Sequence, residues 1–202
     1  MHVAIAGNIG SGKTTLSTLL AKHFKWEPIY EKMEDNPYIE HFYDDMRRWA
    51  FNLQVYFLNA RFRHVVEARQ QFENIIQDRT LFEDAYIFAP NLYSMGLMTT
   101  RDFETYKSLF DLLLSFVPNP DLIIYLKASV PTLVRQIQKR GRAYESSIRL
   151  DYISSLNERY EDWLSGYKGK ILVVNMDEKD IERPEDLHEI IEKINAEING
   201  LF

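Results

Sequence analysis

Residues 7 to 14 read Gly7-Asn8-Ile9-Gly10-Ser11-Gly12-Lys13-Thr14, the spacing G-x-x-x-x-G-K-[ST] of a loop built to hold phosphate. Glycines let the chain wrap so tightly that successive N–H groups turn inward, toward phosphate oxygens. Lys13 is placed to set a cation on the β- and γ-phosphates, and the Thr14 hydroxyl to ligate Mg²⁺. Such a loop has to leave a buried strand and open a helix, whose N-terminal N–H groups favour an anion. The flanks comply. His2 to Ala6 is a short apolar run, and Leu16, Leu19, Leu20 and His23 recur at helical spacing within Thr15 to Phe24. A nucleoside triphosphate is therefore expected at the end of the first strand. The motif alone does not say what becomes of the phosphate.

Further short apolar runs follow at Pro28–Tyr30, Asn74–Gln77, Leu122–Leu126 and Ile171–Val174, each leading through a polar or turn position into a helical pattern. This rhythm predicts an α/β fold with a parallel sheet covered on both faces. No linker, repeat or low-complexity segment divides the chain, so one domain over residues 1–202 is expected. Ligands of such sheets bind beyond the carboxyl ends of the strands. The residues there are the phosphate loop; Glu31, with Glu34-Asp35-Asn36-Pro37 behind it; Asp78-Arg79; Lys127 to Pro131; and Asn175-Met176-Asp177.

Composition narrows the partners. A formal charge of −6 and a pI near 5.4 leave no electrostatic footprint for nucleic acid. The absence of cysteine removes disulfides and thiolate metal sites. No apolar run approaches the length of a membrane span, and a strand starting at residue 2 leaves no room for a signal peptide. A cytoplasmic protein is expected.

Transfer of a phosphoryl group needs a base or orienting group at the acceptor, a metal, and cations on the transferred group. Glu31 and Asp78 are the strand-end carboxylates, and Asp78-Arg79 projects an acid and a cation from one turn, although a surface ion pair would read the same way. In Gln138-Lys139-Arg140-Gly141-Arg142 three cations surround a glycine. A helix breaking at Gly141 into a mobile basic lid over the phosphates is one reading; a solvated basic helix end is the other. Met46 to Gln71 contains neither Gly nor Pro and predicts one long helix with Trp49, Leu53, Tyr56, Phe57 and Ala60 as its apolar stripe. Gln54 and Arg61, two turns apart, suit a planar polar ligand such as a nucleobase, or simply the polar edge of an amphipathic helix. Asp84 and Phe88 share a face of the helix after Asp78-Arg79, with Glu83 pointing roughly a third of a turn away.

These stretches together resemble the deoxyribonucleoside kinases, the group containing deoxycytidine, deoxyguanosine and deoxyadenosine kinases. The likeness runs from the phosphate loop, Gly7 through Thr15, to about Asp180. It includes the Glu31 region, Arg48-Trp49-Ala50-Phe51-Asn52-Leu53-Gln54, Asp78-Arg79-Thr80, Asn119 to Leu126, and Arg140-Gly141-Arg142-Ala143-Tyr144-Glu145. The resemblance implies a P-loop kinase fold with a five-stranded parallel sheet flanked by helices, and a homodimer built on long helices. It implies transfer of the γ-phosphate of ATP, or of another nucleoside triphosphate, to a deoxynucleoside 5′-hydroxyl, with Mg²⁺. Glu31 would be the base and Arg79 would hold the hydroxyl and Glu31. Gln54 and Asp84 would hydrogen-bond the nucleobase with Arg61 beside them, and Phe88 would stack on it. Tyr43 and Glu145 would hold the sugar 3′-hydroxyl, and Arg140 and Arg142 would be phosphate-binding arginines of a lid spanning about 138–147. The stretch Asp177 to Ile181, with Asp180, would cover the donor base.

The Arg61–Asp84 pair resembles the deoxycytidine and purine kinases. Asp35-Asn36-Pro37-Tyr38 and Gln54 to Asn59 look most like bacterial deoxyadenosine kinases, which makes deoxyadenosine the first expected substrate. Two departures are present. Lys32 stands where many members have proline, and Gln136 follows Arg135 where the lid often carries another arginine. Another small-molecule P-loop kinase, such as a nucleoside monophosphate kinase, would need extra cations for the acceptor phosphate. A guanine-specific switch would carry Asn-Lys-x-Asp, for which Val173 to Asp177 lacks the lysine.

Overall fold

The computed structural model describes residues 1–30 and 36–200. Glu31, Glu34 and Asp35 lie outside the described residues. Five strands, β1 (His2–Ala6), β2 (Glu27–Ile29), β3 (Ile75–Asp78), β4 (Leu122–Lys127) and β5 (Ile171–Asn175), form one parallel sheet in the order β2-β3-β1-β4-β5. The α/β expectation and the parallel five-stranded sheet hold. Bounds differ slightly from the apolar runs, because pairing rather than hydropathy ends a strand. β2 stops at Ile29, opposite Gln77, and Asp78 completes β3 opposite Ile5 of β1.

The central strands are apolar on both faces, as a doubly covered sheet requires. Val3, Ile5, Ile76, Ile124 and Val174 pack beneath α1 (Lys13–Phe24), through Leu16 and Leu20. The same face meets the C-terminal helix Pro184–Asn199, through Ile190, Ile191 and Ile194. Ala4, Ala6 and Ile123 face the other way, against Trp163, Leu164 and Tyr167. Small side chains there let the covering helix approach the sheet closely.

On that second face lie α2 (Ile39–Asp44), α3 (Met46–Gln71), α4 (Leu81–Glu83), α5 (Ala89–Ser94) and α6 (Thr100–Leu114). α7 (Val130–Arg140) packs through Leu133 and Ile137 against Ile153 of α8 (Leu150–Ser165), which also covers that face, and the C-terminal helix is α9. The long helix expected from Met46 to Gln71 is present with those bounds. Its buried stripe differs. Ala50, Leu53, Gln54, Phe57, Leu58, Arg61, Val65 and Ala68 are buried, whereas Trp49, Tyr56 and Ala60 are half-buried. Gln54 and Arg61 sit inside the stripe, not on its polar edge. The helix expected around Asp84 is also modified. Asp84–Phe88 forms one π-helical turn in which the Ala89 N–H reaches the Asp84 carbonyl. Pro90, just beyond, has no N–H with which to continue an ordinary ladder.

At the opposite end of the sheet from the phosphate loop, His2 is buried. Its Nε2 lies 2.8 Å from Gln77 Oε1 and its Nδ1 2.7 Å from the Arg69 guanidinium. Arg69 can only donate, so Nδ1 accepts and Nε2–H donates, which is the neutral ring. Burial, and next the Arg69 charge, lower its pKa from 6.5 to about 4. The folded state therefore binds this proton more weakly than the unfolded chain. The stability contribution is complete above pH 6.5 and is lost as pH falls toward 4. Urea unfolding of wild type and His2→Gln at pH 7 and pH 4.5 checks this. The wild-type advantage is expected to shrink by about 2–3 kcal/mol on acidification; an advantage independent of pH would refute it.

Candidate active site

The phosphate loop joins β1 to α1 at the carboxyl end of the sheet. Gly7 has φ 152°, and a Cβ there would stand 2.5 Å from Ser11 Oγ and 3.0 Å from the Leu126 carbonyl. Gly10, at φ 85°, would place a Cβ 2.8 Å from the Leu133 carbonyl. Only glycine fits either position. Asn8 stakes the loop to α8: its Nδ2 donates to the Ile153 carbonyl at 3.0 Å and to Asn157 Oδ1 at 3.1 Å, while its Oδ1 accepts from the Ile9 N–H at 2.8 Å. Lys13 Nζ reaches the Asn8 carbonyl at 2.9 Å. The Thr14 hydroxyl donates to Asp78 Oδ2 at 2.5 Å, which brings the loop's threonine against the acid at the end of β3.

A cavity of about 480 Å³ opens above the loop. Its floor is Ile9, Gly10, Gly12, Lys13, Thr14 and Thr15. Gln54, Arg61, Asp84 and Phe88 also line it, as do Tyr43, Arg79, Arg140, Arg142 and Glu145. Most of the described residues expected on phosphate, sugar and base thus border one space. Gly7 and Asn8 do not line it, and Ser11 borders the next cavity.

Arg61 and Asp84 form a buried ion pair. The Arg61 guanidinium also lies 4.4 Å above the Phe57 ring. Gln54 is buried beside them, and its Oε1 has no hydrogen-bond partner among the described residues. Arg79 takes a left-handed backbone, φ 64°, and its N–H donates to the Ile5 carbonyl at 3.1 Å. Its guanidinium lies 4.4 Å over Phe88 and 3.4 Å from the Gly7 carbonyl.

Glu145, which lines the cavity, is buried. It accepts from Arg140 Nε at 3.0 Å and from Arg140 Nη2, with Arg142 Nη1 3.6 Å away. Both arginines therefore reach this buried carboxylate. The basic segment does break where its glycine stands: α7 ends at Arg140 with Gly141 left-handed behind it, and a 3₁₀ turn, Ala143–Ser147, follows. Tyr43 stacks on Tyr144 at 5.8 Å. Burial, then Tyr152 and Glu145, push its phenol well above the usual range, so it stays neutral.

A second cavity, about 400 Å³, lies on the other side of the loop, between α7 and residues 176–183. Asp177, Asp180 and Ile181 line it, each with a structural commitment. The Asp177 carboxylate accepts from the Ser129 N–H at 3.0 Å and from Ser129 Oγ at 2.9 Å. Hydrogen bonds from Thr132 and Ser129 hold its pKa below the ordinary value. Asp180 Oδ1 accepts from the Glu182 N–H at 3.0 Å. Ile181 is buried with its Cδ1 close under Gly12. Arg135, which the sequence left unassigned, also lines this cavity and reaches Thr132 Oγ1 at 3.2 Å.

Two buried residues absent from the sequence-based candidates support the loop: Glu83 of α4 and Tyr160 of α8. Thr80-x-x-Glu83 has capping-box spacing, and the box is formed, so Glu83 carried a readable signal. Tyr160 carried none.

The family described as deoxynucleoside kinase matches residues 3–199, and the chain belongs to it. It is a phosphotransferase with a deoxynucleoside acceptor, as the resemblance implied. It is 34 % identical over 201 residues to deoxyadenosine/deoxycytidine kinase of Bacillus subtilis (strain 168), covering 98 % of this chain and 93 % of that one. It is 37 % identical over 159 residues to deoxyguanosine kinase of the same organism, covering 79 % and 76 %. The solved structure of deoxyadenosine kinase from M. mycoides with products dCMP and a flexible dCDP bound aligns with a TM-score of 0.89 at 33 % identity, over 97 % of this chain and 100 % of that one. The same enzyme with bound dATP aligns at 0.86 and 34 %, over 96 % and 100 %. No helix among the described residues is long and apolar enough to cross a membrane.

Proposed function

We propose that this kinase transfers the γ-phosphate of ATP, or of another nucleoside triphosphate, to the 5′-hydroxyl of a purine deoxynucleoside, deoxyadenosine first. The observation that carries the choice of base is the buried Arg61–Asp84 pair beside Gln54, whose Oε1 lacks a partner among the described residues. An exocyclic amino group can donate to that oxygen or to the Asp84 carboxylate. Thymine presents a carbonyl there and adds a methyl. A buried acceptor left unpaired discriminates by orders of magnitude.

In this reading the loop N–H groups and Lys13 hold the donor phosphates, and Thr15 lies along them. Tyr43 and Glu145 hold the sugar 3′-hydroxyl, Phe88 stacks on the base, and Arg79 holds the acceptor hydroxyl. Arg140 and Arg142 close the lid, about 138–147, over the transferred group. Glu31 is the base that takes the hydroxyl proton. The donor base lies in the second cavity, along Asp177 to Ile181. Thr14 and Asp78 supply hard oxygen donors 2.5 Å apart, which fits Mg²⁺ held mainly by substrate phosphates and water. When bound, Mg²⁺ would neutralise charge on the phosphates. We further infer a single-domain cytoplasmic enzyme that works as a homodimer.

Steady-state assays with ATP, Mg²⁺ and each of the four deoxynucleosides test the reading. Deoxyadenosine is expected to give the highest kcat/KM and thymidine the lowest. Thymidine as the best substrate would overturn the Arg61–Asp84 reading.

A further inference from the structure

The first glycine of the phosphate loop is gripped on both sides of its backbone. The Gly7 N–H donates to Glu83 Oε1 at 3.3 Å. The Gly7 carbonyl accepts from the Tyr160 hydroxyl at 2.8 Å and from Arg79 Nη2 at 3.4 Å. The other oxygen of Glu83 accepts from the Thr80 N–H at 2.8 Å, the residue directly after Arg79. Tyr160 Oη, with one proton to share, also stands 2.7 Å from Glu83 Oε1. Glu83 is 0 % exposed.

A helix N-cap needs only the bond to Thr80. The bonds to Gly7 and Tyr160 are additional, and they tie the start of the phosphate loop to the left-handed turn that carries Arg79. Such a backbone conformation persists only where its surroundings hold it. Neither Glu83 nor Tyr160 lines the main cavity, so any effect on the reaction passes through Gly7 and Arg79.

We propose that Glu83 is a positioning residue for phosphoryl transfer, with Tyr160 as its brace, setting the separation between the donor-phosphate cradle and Arg79 on the acceptor side. This rests on the kinase site described above. In-line transfer is sensitive to that separation, since a misplacement of about 1 Å can cost about a hundredfold in rate.

Glu83→Gln is nearly isosteric and isolates the tie. One side-chain oxygen keeps the Thr80 cap. The new NH₂ can donate to Tyr160 Oη, which still donates to the Gly7 carbonyl. The bond from the Gly7 N–H cannot be remade, because a donor now faces a donor. The expected result is a kcat lowered about tenfold or more, with KM for the deoxynucleoside within about twofold and a cooperative unfolding transition retained. Tyr160→Phe should lower kcat about three- to fivefold, and the double variant should be no slower than Glu83→Gln alone, because the two act as one unit.

A purely structural role would lower Tm while leaving kcat of the folded enzyme intact. Folded Glu83→Gln with kcat within about twofold of wild type overturns the proposal. If Glu83→Gln does not fold, Tyr160→Phe decides it on the same kcat criterion. Wild type that turns over no deoxynucleoside would sink the kinase reading itself, whereas an active wild type beside an unimpaired Glu83→Gln sinks only this proposal.

Discussion

Arg79→Ala is expected to lower kcat by about a thousandfold, with the enzyme still folded and still binding nucleoside. The effect is large because Arg79 is held so firmly for one task. Its backbone is left-handed, its N–H is tied to the Ile5 carbonyl, and its guanidinium is set between the Phe88 ring and the Gly7 carbonyl. The side chain is therefore delivered between the phosphate loop and Phe88, where, in the proposed reaction, charge spreads during transfer. Positive charge placed in advance at such a point acts on the transition state more than on the ground state. Arg79→Lys should recover little, since an ammonium cannot reproduce the planar fork. Steady-state kinetics over both substrates provide the check. A loss of less than tenfold would mean that Arg79 serves the fold and not the transfer.

Asp84→Ala is expected to damage stability and specificity together. Asp84 and Arg61 are both buried and paired. Removing the carboxylate leaves a guanidinium without its main counter-charge, a change that costs about 3–5 kcal/mol in comparable buried pairs. In the proposed reading the same change also removes an acceptor for an exocyclic amino group. The kcat/KM for deoxyadenosine should fall by about a hundredfold or more, and that for thymidine far less, so that discrimination collapses. Asp84→Asn provides the control. It keeps the shape and removes the charge, and it should unfold at a temperature between those of wild type and Asp84→Ala. Thermal unfolding and paired kinetics with the two nucleosides give the answer. A deoxyadenosine-to-thymidine ratio unchanged within about threefold would show that the pair does not select the base.

What could be read from the chain depended on how local the signal was. The phosphate loop, the acid ending β3 and the helix Met46–Gln71 are each specified within one stretch of residues, and the structure places them as expected. The position of Gln54 and Arg61 was ambiguous because helical spacing gives an angle around an axis but not what lies opposite. Only with Asp84 and Phe88 across from them does their burial make sense. The π-helical turn at Asp84–Phe88 escaped notice because the effect of Pro90 is felt upstream of the proline. That the Asp177 carboxylate accepts from Ser129, 48 positions away, could not be read from the chain. Tyr160 reaches the Gly7 carbonyl across 153 positions, a contact that no periodicity records. Contacts made through space, between elements whose order in the sheet is not written in hydropathy, are what one sequence leaves unread.

In the proposed reaction one cavity brings the γ-phosphate of a bound triphosphate to a deoxynucleoside 5′-hydroxyl. Phosphorus NMR of a reaction containing the enzyme, ATP, Mg²⁺ and deoxyadenosine observes that transfer directly. The expected spectrum shows deoxyadenosine 5′-monophosphate and ADP rising in equal amounts. ADP accumulating with inorganic phosphate and no nucleoside monophosphate, or phosphate appearing on the 3′-oxygen, would contradict it.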